Sequence, residues 1–588
     1  MQFSASASGV PTNVHWSVDG VAGGSAAAGT ISPQGVYTAL ANAGQHTITA
    51  VGVSNPGLTG TAQVLPPSVT FGTAAVLTHH NDNLRTGQNL SETALTVANV
   101  NSKTFGKLFS LPVDGEVFAE PLYVPNLTVA GIAHNVLIVA TEHDSVYAFD
   151  ADGLSQIPLW KTSLINPAMG ITPAPSCEVQ SHVLHITPEV GITGTPVIDA
   201  STQTLYVVAE TKEGTGYAFR LYALDLHTGA QKFGSPVVIQ GQVAGSSPFD
   251  GDGNGHILFA PGPLMKPVLQ RPALLLVNGL VYVAFGSQED IEPYHGWVFA
   301  FNAQTLAQAA IFNTTPNGAG QEGGKGAIWQ SGGGPAADAA GNIFVQTGNG
   351  TFDAQNGGVD YGDTVLKLSG GLSVADWFTP FDEATLQQQD LDVGASGPLA
   401  LPDQSSAVPH VLITGSKAGK IYVLNRDSLG HFNPAGDTQV VQEFANAPVF
   451  STPAYWNQNV YVGGIGDVVR QFSVNNGQLA QVAQGAEVFR YPGTTPIVSA
   501  NANTNGIVWA LDNSAAAKAA SCSALPGGGP AILRAYENTN ISRELYNSAQ
   551  ASGRDVAGPA LRFGVPTAVN GHVYVPTQNS ITVYGLLP

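Results

Sequence analysis

A proline stands at the head of an apolar, strand-forming run eight times along the chain, at Pro121, Pro196, Pro272, Pro335, Pro398, Pro453, Pro496 and Pro566. This recurrence constrains the fold more than any other feature, because a unit that cannot bury its own apolar face must stack on copies of itself. In most units a second run follows, as in Leu137-Ile138-Val139-Ala140, Leu205-Tyr206-Val207-Val208, Val281-Tyr282-Val283-Ala284 and Val573-Tyr574-Val575. A third ends at a turn, as in Val146-Tyr147-Ala148-Phe149-Asp150, Leu221-Tyr222-Ala223-Leu224-Asp225 and Ile421-Tyr422-Val423-Leu424-Asn425. Such runs between turn residues read as antiparallel strands. Proline is tolerated at the first residue of a strand, where its missing N–H is harmless. The prolines are 75, 76, 63, 63, 55, 43 and 70 residues apart, against about 40 to 50 for a plain four-stranded propeller unit, so several units carry long insertions. The last unit, Val565 to Pro588, is short of an outer strand, and Phe105-Gly106-Lys107-Leu108-Phe109-Ser110-Leu111 is expected to supply it and close the ring.

Composition agrees with an all-β chain. There are 69 Gly and 38 Pro, and charged residues are only 11%, where soluble domains carry about 25%. A hydrophobic share of 43% supports a large core and excludes disorder. The net charge of −20 excludes extended contact with nucleic-acid phosphates or anionic lipid. The apolar run Pro272 to Gly286 is broken by Asn278, and nothing approaches the ~18 to 20 apolar residues of a membrane-spanning helix. Met1-Gln2-Phe3-Ser4-Ala5 lacks a basic n-region and already reads as a strand, so any export signal is expected to have been removed. Two cysteines, Cys177 and Cys522, are too few for a disulfide framework and are not spaced as a zinc site. They either close one long-range bridge, which implies an oxidising compartment, or are buried thiols.

Ahead of the repeats, His15-Trp16-Ser17-Val18-Asp19-Gly20, Gly35-Val36-Tyr37-Thr38 and His46-Thr47-Ile48-Thr49-Ala50-Val51 alternate apolar and polar residues between Gly-rich turns, a pattern for a β-sandwich. Residues 1–66 resemble the bacterial immunoglobulin-like modules of secreted and surface proteins, which implies a spacer or adhesion module and possible surface attachment. Pro66-Pro67 supplies a stiff break. Residues 67–104 read as linker and lead-in, and 105–588 as an eight-bladed β-propeller.

Ala148-Phe149-Asp150-Ala151-Asp152-Gly153 with Trp160, and Ala223-Leu224-Asp225-Leu226-His227-Thr228-Gly229, resemble the Ala-x-Asp-x-x-Thr-Gly-x-x-x-Trp signature of quinoprotein repeats. The lead-in His79-His80-Asn81-Asp82-Asn83-Leu84-Arg85-Thr86-Gly87, with Asn99-Val100 and Pro121-Leu122-Tyr123-Val124, is similar to that of eight-bladed quinoprotein dehydrogenases. The resemblance spans residues 76–588. It implies a bacterial extracellular or periplasmic protein, pyrroloquinoline quinone and calcium as cofactors, and oxidation of a sugar or other alcohol. Non-catalytic outer-membrane scaffolds share these repeats.

By resemblance to known propellers, the loops joining second and third strands lie on the site face. They include Glu142-His143-Asp144, Lys212-Glu213, Gln288-Glu289-Asp290 with His295, Asn349 with Asp353, Lys417 and Asp467. His143 or Asp144 is the expected base in oxidation, His143 and His295 are each a general base or a metal ligand, and Lys417 is either an ammonium for a carboxylate or quinone oxygen or a solvated turn lysine. Each histidine also has a purely structural reading, a hydrogen bond to a neighbouring turn. Asp250, Asp252 and Asn254 repeat the front half of a calcium loop, with Gly255 at the sixth place but Pro261 at the twelfth; they form either a calcium site or an ordinary turn. Tyr294, Trp297, Trp329, Phe352 and Tyr361 are candidates to stack on a sugar or planar cofactor. Two other functions fit the same residues: metal-assisted cleavage of an acidic polysaccharide through His143, His295 and Lys417, and a non-catalytic binding scaffold.

Overall fold

A computed structural model describes residues 2–7, 10–11, 13–25, 28–38, 46–64, 74–180, 184–247, 251–318, 324–551 and 553–588. The expected break at Pro66-Pro67 lies outside the described residues. The chain divides into two compact units, Met1–Thr70 with Ala200–Gln203, and Phe71–Asp199 with Thr204–Pro588. The stretch expected as linker and lead-in therefore belongs to the second unit from Phe71 onward.

The first unit has a four-stranded antiparallel sheet built on Val14–Val18 and His46–Gly52, and a three-stranded one built on Gly29–Ile31 and Tyr37–Thr38. Val18 and Ile48 of one sheet share a core with Ile31 and Tyr37 of the other.

The second unit is a β-propeller. Among the described residues, eight of its sheets contain one of the proline-headed runs, Leu122–Val129, Val197–Asp199, Leu275–Val277, Ala336–Ala337, Leu399–Ala400, Ala454–Trp456, Ile497–Asn501 and Thr567–Val569, and a further two-stranded sheet pairs Gly241–Ala244 with His256–Phe259. From the proline-headed strand outward, consecutive strands of each of these sheets pair antiparallel, while Gln88–Asn89 adds to Ile497–Asn501 in parallel. In the last sheet Phe105–Pro112 pairs antiparallel with Ser580–Leu586 as the fourth strand, the role read for it from sequence. Ring closure is reinforced where Thr567 Oγ1 donates to Pro121 O at 2.6 Å.

The apolar side chains of each sheet pack against those of its neighbours. The second-strand tyrosines add a directional link, because a buried hydroxyl needs an acceptor. Tyr206 donates to Ala303 O at 2.6 Å, Tyr282 to Gly370 O at 2.8 Å and Tyr574 to Ala151 O at 3.1 Å, in each case reaching the turn after the third strand of the next sheet around the ring. Tyr574→Phe leaves the buried Ala151 carbonyl without its donor. It is expected to cost about 1 kcal/mol, read as a lower denaturation midpoint with unchanged secondary structure.

Residues 76–89 run past the first strand of every sheet. Val76 pairs with Tyr123, and the carbonyls of Leu77, Asn83, Leu84, Thr86 and Gly87 accept from Ile198, Ala337, Ala400, Tyr455 and Val498. Asn83 Nδ2 donates to Leu276 O and Asn89 Nδ2 to Ala568 O, so all eight first strands are engaged. Arg85 is fully buried here, with Nε donating to Pro335 O, one terminal nitrogen to Thr78 Oγ1 and His79 O, and the other to Leu274 O, at 2.7 to 3.1 Å. The histidine-rich lead-in is thus a plug pinned to the whole ring. Its His80 N–H donates to buried Glu120, which burial pushes up to about 7.

Candidate functional site

The segments that precede the first strands and the turns between second and third strands meet around one cavity of about 320 Å³. Phe118, Phe450 and Phe563 line it, each three residues ahead of a strand-head proline, in Phe118-Ala119-Glu120-Pro121, Phe450-Ser451-Thr452-Pro453 and Phe563-Gly564-Val565-Pro566. Arg271, just before Pro272, reaches the same space, as do Asp290 and Lys417 from second-to-third turns. The repeat therefore delivers equivalent positions to one place.

Lys417 Nζ sits 2.6 Å from Asp390 and 3.2 Å from Asp392. Burial works to lower its pKa, but the two carboxylates outweigh it and the net shift is upward, so the ammonium stays charged. Asp392, almost fully buried, also accepts the Asn349 N–H at 2.9 Å, and Asn349 Nδ2 donates to Asp390 at 3.0 Å. Both oxygens of Asp392 are thereby occupied. Asp290 differs: Tyr294 OH donates to its Oδ1 at 2.9 Å, and among the described residues no group bonds its other oxygen. Burial, with the charge of Asp392 behind it, pushes the Asp290 carboxyl up to about 6. A carboxylate with that pKa facing a cavity has the properties of a proton acceptor near neutral pH.

Trp329 supplies a flat wall. Its Nε1 donates to Ser287 O at 2.9 Å, and a Cβ at Gly286 or Gly348 would lie 2.7 or 2.4 Å from the indole. Those glycines let backbone approach the ring. Tyr491, in edge contact with Phe450 and Phe563, continues the aromatic lining. Gln180 and Ile186 come from the insertion that holds Cys177, which is disulfide-bonded to Cys522 across 345 residues.

No known family model matches the chain, and no curated protein matches it. Solved structures do. A quinohemoprotein alcohol dehydrogenase from Comamonas testosteroni is 14% identical with a TM-score of 0.58, covering 87% of this chain and 80% of that one. One from Pseudomonas putida HK5 is 13% identical with a TM-score of 0.55 over the same shares. A europium-containing methanol dehydrogenase is 13% identical with a TM-score of 0.53, covering 87% of this chain and 98% of that one. At this identity the likeness establishes a shared propeller fold.

Of the four residues expected as catalytic, His143, Asp144, His295 and Lys417, Lys417 alone lines the cavity, and the expected loop Gln288-Glu289-Asp290 lines it as well. His143 is on the turn before Ser145–Asp150, partly exposed, with Nδ1 2.5 Å from Glu189 Oε1. His295 is buried, 2.9 Å from Thr315 Oγ1, and borders a separate hollow with Trp297. The convergence of His143, His295 and Lys417 that polysaccharide cleavage asks for is absent. Asp250 lies outside the described residues. Asp252 spends its carboxylate on its own turn, accepting from the N–H groups of Asn254 and His256 and lying 3.0 Å from His256 Nδ1. Those bonds are the ones the ordinary-turn alternative calls for. Among the described residues no three His, Cys, Asp or Glu are placed to hold a metal. Of the aromatic candidates only Trp329 lines the cavity; Tyr294 stands behind Asp290, while Phe352 and Tyr361 both pack on Trp377.

Asp144 is fully buried at φ 53°, and among the described residues neither carboxylate oxygen has a hydrogen-bond partner. Burial, then the charges of Glu142 and Glu210, raise its pKa well above 3.8. A raised carboxyl favours the native state below its unfolded pKa, and that contribution is lost as pH rises. Asp144→Asn keeps the shape and tolerates this backbone region, so it is expected to stabilise the protein at pH 8 by roughly 1 to 3 kcal/mol and to change little at pH 4. Melting curves at the two pH values check this.

Proposed function

We propose that the protein is a quinone-dependent oxidoreductase that oxidises an alcohol, a sugar among the candidates, in the central cavity of an eight-bladed propeller. The observation that carries the reading is Asp290: a carboxylate held by Tyr294, with its other oxygen unbonded among the described residues, pushed up to about 6, on the same cavity as the Trp329 wall and the Lys417 cation.

The donor set suits a flat, anionic quinone such as pyrroloquinoline quinone. Trp329, Phe118, Phe450 and Phe563 offer apolar faces, and Arg271 offers positive charge. Bound there, such a quinone would accept the two electrons and the hydrogen released from the alcohol carbon. Asp290 takes the hydroxyl proton, and Lys417, fixed by Asp390 and Asp392, keeps positive charge at the cavity wall. The aromatic walls exclude water from the reacting carbon. Calcium does not fit equally well, because the carboxylate pair beside the cavity, Asp390 and Asp392, already converges on an ammonium.

The disulfide favours an oxidising compartment, extracellular or periplasmic. We read the N-terminal unit as an immunoglobulin-like module serving as a spacer. The test is dye-linked oxidation by the quinone-loaded protein over a panel of primary alcohols, secondary alcohols and aldoses. Turnover that rises as pH passes about 6 supports the reading; no dye reduction with any substrate overturns it.

A further inference from the structure

His185 reaches the central cavity from the insertion between the first and second sheets, the one that the Cys177–Cys522 disulfide ties down. The backbone beside it is fixed: Ile186 O accepts from Ser176 Oγ at 2.6 Å and from Gln180 Nε2 at 2.7 Å, and Thr187 N–H donates to Glu116 at 2.9 Å. The ring itself meets Arg562, 377 residues further along the chain, whose terminal Nη1 lies 2.9 Å from His185 Nδ1. Arg562 in turn sits 5.5 Å from the centre of the Tyr491 ring, and that ring is 6.1 Å from the His185 ring.

This contact decides which nitrogen of His185 carries the hydrogen. A guanidinium has donors only and keeps its charge, so Arg562 donates, Nδ1 accepts, and the ring hydrogen sits on Nε2. Burial, and then the charge of Arg562, pull the His185 pKa down to about 4; Lys518 and Arg271 act in the same direction and Glu289 opposes them. The imidazole is therefore neutral at every pH at which Asp290 is ionised. Among the described residues nothing accepts from Nε2. The cavity that holds the Asp290 carboxylate thus also holds an oriented, uncharged N–H donor. A ligand lacking an acceptor for that donor leaves it unpaired, which is what makes such a group discriminate between ligands.

We infer that His185 is a specificity-determining donor that recognises a second, uncharged oxygen on the substrate, as in a vicinal diol, with Arg562 as the positioning residue that sets its tautomer. The inference rests on the proposed function for the hydroxyl that is oxidised, and adds what the rest of the substrate must carry.

The test uses the full chain with its disulfide intact and two probes that differ by one hydroxyl, 1,2-propanediol and 1-propanol. In protein labelled with nitrogen-15 histidine and free of quinone, with His185→Gln assigning the signal, proton–nitrogen spectra are expected to show hydrogen on Nε2 and no titration between about pH 6 and 8. The diol should shift that Nε2 signal and 1-propanol should not. Arg562→Met should release the constraint, seen as a mixture of both tautomers. In dye-linked oxidation by the quinone-loaded protein, kcat/KM should favour the diol by about 10-fold or more. His185→Phe should erase this preference by weakening the diol alone, and His185→Gln, which keeps an amide donor, should retain part of it. If His185→Phe does not fold, the spectra and His185→Gln decide. Hydrogen on Nδ1, a tautomer unmoved in Arg562→Met, an Nε2 signal indifferent to the diol, or a preference that survives His185→Phe overturns the inference. Oxidation of both probes with equal kcat/KM overturns it alone; a diol-dependent Nε2 shift without oxidation of any substrate overturns the proposed function alone.

Discussion

Asp290→Asn is expected to lower the alcohol-oxidation rate of the quinone-loaded protein by about 10²- to 10⁴-fold, the range for losing a positioned general base. The amide preserves size and still accepts from Tyr294 OH, so the fold and the cavity lining should survive. What is lost is the ability to take a proton. Because burial and Asp392 push the Asp290 carboxyl up to about 6, the unaltered protein should be slow below that pH, where the group is protonated, and fast above it. The variant should lose this limb of the pH profile as well as its rate. A variant that keeps the same limb would place the proton acceptor elsewhere; Asp144→Asn gives the matching control, since Asp144 does not line the cavity and its substitution is expected to alter stability and not the profile.

The second large effect is on folding. Arg85→Met should destabilise the propeller by about 4 kcal/mol or more, because it strands the carbonyls of Pro335, Leu274 and His79 and the Thr78 hydroxyl, each unsatisfied buried group costing about 1 to 3 kcal/mol. Burial pulls the Arg85 guanidinium only to about 10, so it remains charged at neutral pH, and its removal also takes away a positive charge that acts on Glu120 and Asp82. Poor recovery of soluble protein, or an early thermal transition by circular dichroism, is the expected readout. Wild-type melting of Arg85→Met would mean that residues 76–89 merely occupy the ring and do not hold it.

The strand-head prolines made the propeller legible because a strand start is a local event: the missing N–H, the apolar run and the turn are all adjacent in sequence. Phe105–Leu111 was readable for a related reason, since the last unit visibly lacked a strand. The cavity was harder. Lys417 stands out between glycines, but Arg271 acquires its meaning only when Phe118, Phe563 and Gly332, from three other sheets, surround it. The spacing Phe-x-x-Pro at Phe118, Phe450 and Phe563 was a signal within reach, because equivalent places in a repeat occupy equivalent places in a ring. His143 and His295 drew notice for their chemistry, whereas Asp290, in the loop that leads to His295, gains its role from burial and from Asp392, which arrives from the next sheet but one. Asp252 and Asn254 show the converse: an alternating pattern of oxygen ligands is also what a self-bonded turn requires. The lead-in resembled a family segment residue by residue, yet its contact with all eight first strands belongs to the closed ring and to no local pattern.

The most direct test of the central cavity as a quinone site is equilibrium dialysis of pyrroloquinoline quinone against the wild-type protein and Trp329→Ala, with indole fluorescence followed in parallel. The account predicts one saturable site per chain, quenching of tryptophan emission on binding, and at least about a 10-fold loss of affinity when the Trp329 wall is removed. Absence of saturable binding to the folded wild-type protein, or binding indifferent to Trp329, would contradict it.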